Sequence, residues 1–394
     1  MAFNFDTVID RARSDSQKWG KYAGRDILPL WVADMDFASP PAVTEALHRR
    51  VDHRVFGYAK PSSSLQEAVV AYAERHYGWK IEPAWIVWLP GLVTGLNVAA
   101  AAFGSDGDEI LCFTPVYPPF MSAPTNRRRK TVNVPLARDE RTLRYEFDWD
   151  ALARAVTPST KQLFLCSPHN PVGRAFARDE LEKLAAFCVK HDLVVTSDEI
   201  HCDLILDDVK HIPLATLFPE IAARSVTLMA PSKTYNIPGL ASAFAIIPDA
   251  RLRLAFARSA AGMVPDINLL GLVACEAAVR EGEEWRQALL AYLRGNRDFL
   301  QEFVAKELPG VRMGHVEATY LAWLDISALN LEHPGRFFED HGIGLADGTQ
   351  YGATPGTHVR LNFGCPRATL AEALRRIRQA IQSLRRASPD GVTN

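Results

Sequence analysis

The chain has 394 residues, 48% hydrophobic and 23% charged, with 24 Gly and 25 Pro spread along it; at about 150 residues per domain that is room for two or so domains with real apolar cores. A formal net charge of −2 supplies no broad basic field, which argues against nucleic acid as the principal partner. Six cysteines without a CxxC pair, a start (MAFNFDTVIDRARSDSQ) without an apolar leader, and no apolar run near the roughly 20 residues of a membrane span predict a soluble cytoplasmic enzyme with reduced thiols.

In chain order, Ser64-Leu65-Gln66-Glu67 reads as a capping box, with Leu65, Ala68, Val69 and Tyr72 on one helical stripe. An apolar helix is expected over Leu96–Phe103, and strands over Ile110–Phe113, Gln162–Cys166, Leu193–Ser197, Ser225–Ala230 and Ser242–Ile247. Arg127-Arg128-Arg129-Lys130 reads as a solvated face. Leu181, Leu184, Ala185 and Cys188 mark a helix between two of the strands, so a βαβ unit and a mainly parallel sheet with helices on both faces are predicted. From about residue 280 the texture changes to a helix around Trp285–Leu300, a strand at Tyr320–Ile326, and a second capping box, Thr369-Leu370-Ala371-Glu372. That box opens a helix with Leu370, Leu374, Ile377, Ile381 and Leu384 on one stripe. This is the pattern of a smaller α+β domain, completed by the first 40 residues. The tail from Ser388 is expected to fray.

GxxxxGK[ST], GxGxxG after a strand, HExxH and GxSxG are all missing. In open α/β sheets ligands bind beyond the carboxyl ends of the strands, and four places stand out there. Asp198 follows a buried strand; it is either a loop acid or a carboxylate awaiting a cation. Lys233 lies just past another strand, where a lysine is either a surface residue or an amine desolvated enough to act as nucleophile and base. Asn170 sits in Ser167-Pro168-His169-Asn170-Pro171-Val172-Gly173, a rigid turn that either ends a strand or aims one amide. Pro90-Gly91-Leu92-Val93-Thr94-Gly95 opens a helix whose N-terminus suits an anion. An amine, a carboxylate for a ring nitrogen, an amide donor for a ring oxygen and a helix N-terminus for a phosphate are together what pyridoxal 5'-phosphate requires.

The order PGLVTG, SPHNPVG, SDEIHCDL, APSKTYNIPGL and VRLNFG resembles the fold-type I aminotransferase superfamily. Within it, the segments Leu30–Phe37, Val116–Phe120 and Asp198–His201 resemble the PatB/MalY-type cystathionine β-lyases, over nearly the whole chain. The resemblance implies a large pyridoxal-phosphate-binding domain over 41–280, a C-terminal small domain over 281–386 joined by residues 1–40, and a flexible tail at 387–394. It implies catalytic roles for Lys233, Tyr117 and Asp198. Lys233 would carry the cofactor and then act as base at the substrate Cα, Asp198 would pair with the pyridine nitrogen, and Asn170 would donate to the ring hydroxyl oxygen. Tyr117 would stack on the ring. Leu92, Val93 and Ser232 would hold the phosphate, His201 would lie near the ring oxygen, and Tyr58 would reach the phosphate of a second subunit, implying a homodimer with sites at the interface. Arg360 would clamp the substrate carboxylate beside Ala33. One departure is plain: the serine and arginine that aspartate-aminotransferase-like members place three before and eight after the lysine are here Ala230 and Ala241, so the phosphate lacks an expected cation.

The expected reaction is β-elimination from L-cystathionine or related S-substituted cysteines, giving a thiol, pyruvate and ammonia. Transamination uses the same constellation and stays open as an alternative, as does a non-catalytic binding protein on this scaffold. The eleven histidines form no ligand-spaced cluster, so no metal is expected.

Overall fold

The computed structural model describes residues 3–387, so the tail expected over 387–394 lies outside the described residues beyond Ala387. Seven strands form the main sheet: β1 (Ile86–Leu89), β2 (Glu109–Thr114), β3 (Lys130–Pro135), β4 (Thr160–Cys166), β5 (Val194–Asp198), β6 (Ser225–Met229) and β7 (Ala243–Ile246). Around them lie α1 (Pro41–Asp52), α2 (Ser63–Tyr77), α3 (Leu92–Ala102), α4 (Arg178–Lys190) and α5 (Leu269–Glu281). The spatial order is β1-β7-β6-β5-β4-β2-β3. β7 runs antiparallel to β1 and β6, and every other neighbouring pair is parallel. The expected mainly parallel sheet is present, with one reversed strand.

Alternation along β4 shows why helices cover both faces. Leu163 and Leu165 join the core that contains Leu181, Leu184 and Ala185 of α4. Phe164 and Cys166, on the opposite face, join the core of Leu96 and Ala99 of α3. Strands buried on both sides are mostly apolar, with Thr196 and Thr227 as small buried exceptions in mid-strand, and their charged residues sit at or near the ends. Those ends are where the chemistry gathers.

A second sheet, β8 (Arg312–Met313), β9 (Leu321–Asp325), β10 (Ala346–Asp347) and β11 (His358–Asn362), has the order β8-β9-β11-β10 and is antiparallel throughout. It packs with α6 (Glu283–Glu307) and α7 (Arg367–Ala387). Leu370, Leu374, Ile377 and Ile381 of α7 are buried as the stripe predicts, each burial worth about 1.5–3 kcal/mol. Only Gly282 separates α5 from α6, and a Cβ there would sit 2.4 Å from the Ala278 carbonyl oxygen and from the Tyr235 ring. The N-terminal segment joins this part: Leu28–Pro29 pairs in parallel with Ile343–Gly344, and Phe5, Leu30 and Met35 enter the same core.

Three local expectations need correction. Ser62, not Ser64, caps α2, its hydroxyl accepting from the Leu65 N–H at 3.0 Å; Pro61 ends the preceding chain and the helix starts earlier, leaving Ser64 to bond Glu276. α7 likewise begins at Arg367, directly after Pro366, which puts Thr369 inside the first turn. Glu372 there pairs with Arg375 and Arg376 instead of capping. Arg129 is not on a solvated face. It is buried, and its guanidinium donates to the carbonyls of Ala101 (3.3 Å) and Gly104 (2.8 Å) and to Asp106, closing the C-terminal end of α3.

Candidate active site

A cavity of about 400 Å³ lies at the carboxyl ends of β4, β5 and β6. Its wall carries Lys233, Asp198, Asn170, Tyr117, Leu92, Val93, Ser232, His201, Arg360 and Ala33, residues contributed by seven separate stretches of chain. Tyr58 alone of the predicted residues lies elsewhere, fully exposed to solvent.

Asp198 is the last residue of β5 and is buried. Burial pushes its carboxyl up to about 7, against one hydrogen bond from the Ile200 N–H (3.1 Å) and the charge of Lys233. Lys233 follows β6 by four residues, and desolvation, with Arg360 nearby, brings its amine down to about 8. Its Nζ donates to the Ala33 carbonyl oxygen at 2.5 Å, an oxygen that also accepts from the Tyr320 hydroxyl at 3.0 Å. An acid held up and an amine held down in one cavity are poised for proton traffic near neutral pH.

Asn170 stands on the turn after β4. The turn is closed by the Gly173 N–H on the His169 carbonyl (2.8 Å), and the His169 ring is fixed between the carbonyls of Cys166 and Pro115. Gly173 needs its φ of +71°, and a Cβ there would meet Val316 at 2.8 Å. The Asn170 Oδ1 accepts from the Arg360 guanidinium at 3.0 Å, so the amide NH₂ is the free donor. Tyr117 is tied to the same turn, its N–H donating to the Asn170 carbonyl at 3.1 Å.

Arg360 is buried on β11. One terminal nitrogen serves Asn170, the other donates to the Trp31 carbonyl at 2.7 Å, and its plane lies 4.9 Å from the Tyr351 ring. Its Nε is buried without a hydrogen-bond partner among the described residues, as is the His201 Nδ1. Burial and the neighbouring cations hold the His201 imidazole neutral, down to about 3.

At the other end of the cavity, α3 begins behind Gly91, with no acidic residue in its first turn. Its first N–H groups, including those of Leu92 and Val93, have no intrahelical acceptor and face the cavity mouth with the positive end of the helix dipole. Ala230 and Ala241 line this region too, beside the hydroxyl-bearing Ser232 and Ser242. Among the described lining residues the only cations are Lys233 and Arg360. Sequence reasoning missed Gln17, Tyr351, Ser242 and Tyr320. Tyr320 and Ser242, at the edges of recognised strands, carried the usable signal; Gln17 and Tyr351 lie in one-turn helical segments without a pattern.

These groups fit pyridoxal 5'-phosphate. A buried carboxylate lacks a full counter-charge, two buried nitrogens lack partners among the described residues, an amide NH₂ is free, and a helix N-terminus is bare, all around one desolvated lysine.

The comparisons agree. The profile of the family described as "Aminotransferase class I and II" matches residues 25–377. The chain is 40% identical over 386 residues to cystathionine beta-lyase PatB of Bacillus subtilis (strain 168), covering 96% of this chain and 100% of that one. Among solved structures, that of OvoB superposes with a TM-score of 0.93 at 47% identity, covering 97% of this chain and 100% of that one. The pyridoxal-phosphate-bound C-S lyase from Staphylococcus hominis gives a TM-score of 0.91 at 32% identity, covering 97% and 98%.

Proposed function

The chain belongs to the aminotransferase class I and II family, and on that premise we propose that it is a pyridoxal 5'-phosphate-dependent carbon–sulfur β-lyase. Its substrates are L-cystathionine or related S-substituted cysteines, cleaved to a thiol, pyruvate and ammonia. The observation that carries the lyase over the transaminase is the 40% identity to cystathionine beta-lyase PatB over 96% of this chain and 100% of that one, while Lys233 and Asp198 in one cavity support the cofactor that both reactions use. When bound, the cofactor supplies an aldehyde that condenses with amines and a ring that draws electrons from the substrate Cα.

The chain's own residues then have defined work. The Lys233 Nζ, readily neutral, would hold the cofactor and, once displaced by the substrate amine, would take the proton from the substrate Cα. The buried Asp198 carboxylate would pair with the pyridinium N–H, the cation it lacks. The free Asn170 NH₂ would donate to the ring oxygen, near the neutral His201 imidazole. Tyr117 would cover the ring. The N–H groups of Leu92 and Val93 and the Ser232 hydroxyl hold the phosphate, the helix dipole standing in for part of the missing cation. Arg360 orients the substrate carboxylate beside Ala33, through the edge that carries its unpartnered Nε.

The reading includes a homodimer in the cytoplasm, acting on a small amino acid, with neither nucleic acid nor membrane as partner. Val55, Phe56 and Tyr58 are all exposed, which supports a second copy covering this run and receiving Tyr58 at its phosphate. All six cysteines are buried and unpaired, which suits a reducing compartment. The proposed division is a cofactor-binding domain over 41–280 and a small domain over 281–386 that includes residues 1–40.

The test is to incubate purified protein, loaded with cofactor, with L-cystathionine and no oxo acid, reading pyruvate and ammonia. Sustained pyruvate release supports the lyase. Turnover that begins only when an oxo acid is added makes the protein a transaminase.

A further inference from the structure

Arg360 is a buried cation without a bonded anion. Its hydrogen-bond partners, the Asn170 Oδ1 (3.0 Å) and the Trp31 carbonyl oxygen (2.7 Å), are both neutral, and it forms no ion pair among the described residues. A guanidinium taken that far out of water needs compensation. An acidic side chain would supply it, but would also occupy the place of an incoming carboxylate. The face of the guanidinium avoids that conflict, and there the Tyr351 ring lies, its centroid 4.9 Å from the guanidinium carbon. A ring face is negative enough to attract a cation, yet it takes none of the N–H groups that a carboxylate needs.

The Tyr351 ring is held in place from several directions. Tyr351 ends the one-turn helical segment Gly348–Tyr351, which opens with the Asp347 carboxylate accepting from the Thr349 N–H at 3.0 Å and stops at Gly352, where φ is +86°. Its carbonyl oxygen accepts from the Val116 N–H at 2.9 Å, which ties it to the stretch that carries Tyr117. The ring is buried and packs edge to face on Trp323, with centroids 5.5 Å apart and planes at 71°. Trp323 is fixed in turn. It pairs with Arg360 across β9 and β11, donates its indole N–H to the Tyr145 hydroxyl at 3.2 Å, and stacks on His358 with centroids 4.9 Å apart. A run of three rings therefore backs the guanidinium.

We propose that Tyr351 is a positioning residue for the substrate carboxylate: its ring fixes the plane of the Arg360 guanidinium and steadies the unpaired charge until the carboxylate arrives. The inference rests on the reading of Arg360 as the carboxylate clamp. It assigns the effect to the ring and not to the hydroxyl.

The test compares the cofactor-loaded protein with Tyr351→Leu, Tyr351→Phe and Arg360→Ala, using two amines that differ by a carboxylate, glycine and methylamine. Neither can undergo elimination, so each is read as an apparent dissociation constant from the change in cofactor absorbance on adding the amine. The unaltered protein is expected to prefer glycine. In Tyr351→Leu that preference falls by about five- to tenfold, with methylamine little affected, whereas Tyr351→Phe keeps it within about twofold. The KM for L-cystathionine follows the same pattern, with a smaller change in kcat. A preference unchanged in Tyr351→Leu, or one that falls as far in Tyr351→Phe, overturns the proposal. Arg360→Ala is expected to remove the preference; if it survives there, the clamp reading itself fails and this inference fails with it.

Discussion

The two walls that meet at Lys233 are built by different means. On the cofactor side, Asp198, Asn170 and Lys233 are each delivered by a buried strand that stops, so backbone pairing fixes their positions to one another. On the other side, where residues 9–18 meet residues 32–39, position is set by side chains. Asp36 alone accepts from Arg11 (2.6 Å), Lys18 (2.7 Å) and the Trp19 ring N–H (2.9 Å), tying the N-terminal segment to residues 32–39. The first wall is rigid because a sheet is rigid. The second is held by this ion cluster together with the Asn362 and Asn236 amides on the carbonyls of Val32, Asp34, Met35 and Phe37, and the two should fail differently when perturbed.

The largest effect belongs to the cofactor side. Lys233→Ala is expected to abolish the yellow colour of the loaded protein and to lower pyruvate formation from L-cystathionine by about 10³-fold or more, with circular dichroism unchanged. Retained colour and turnover would break the contrast at its root. On the side of the N-terminal segment, Asp36→Ala leaves the completely buried Lys18 with only the Asp34 carbonyl oxygen (3.1 Å) and the Asp34 Oδ1 at 3.8 Å, and is expected to cost about 3 kcal/mol of stability in denaturant unfolding. A loss below about 1 kcal/mol would mean that the clasp is ornamental.

Arg360→Ala bridges the two walls, since its partners are Asn170 on one and the Trp31 carbonyl on the other. The expected result is a KM for cystathionine raised by about tenfold or more, with a smaller change in kcat. An unchanged KM for every substrate tested would refute the carboxylate role. Titration gives a finer measure. The Lys233 amine, brought down to about 8, must be neutral to condense with the cofactor aldehyde. The rate of cofactor loading onto apoprotein is therefore expected to rise with pH through about 8 and level off above it, read by absorbance in stopped flow. A profile still rising steeply at pH 10 would mean an ordinary, solvated lysine. The smallest effect is remote. Arg129→Met opens the C-terminal end of α3 and is expected to cost about 1–2 kcal/mol, with kcat for pyruvate release little altered.

The same contrast explains what the sequence disclosed. Asp198, Lys233 and Asn170 could be found because each ends or closely follows a short apolar run, a pattern visible without any partner. Arg360 was visible as an alternation within a strand. The clasp was not. Arg11 and Asp36 lie 25 residues apart with no periodicity between them, and Gln17 and Tyr351 join the cavity from one-turn helical segments. Helix starts were misplaced where proline decided the boundary, at Pro61 and Pro366, because the capping-box pattern recurred two or three residues further on. Arg129 was misread for a related reason: composition marks a run of cations as solvated, whereas the open carbonyls of a helix end drew one of them inside. Tyr58 stands apart, since a residue expected to act on a second copy can show only exposure in one chain.

The most direct test of the central claim is chemical mapping. Protein loaded with pyridoxal 5'-phosphate is reduced with borohydride, digested, and its peptides weighed. The expected result is the pyridoxyl group on the peptide containing Lys233, at close to one per chain, and no label in Lys233→Ala. Label on a different lysine, or none at all in protein that binds the cofactor, contradicts it.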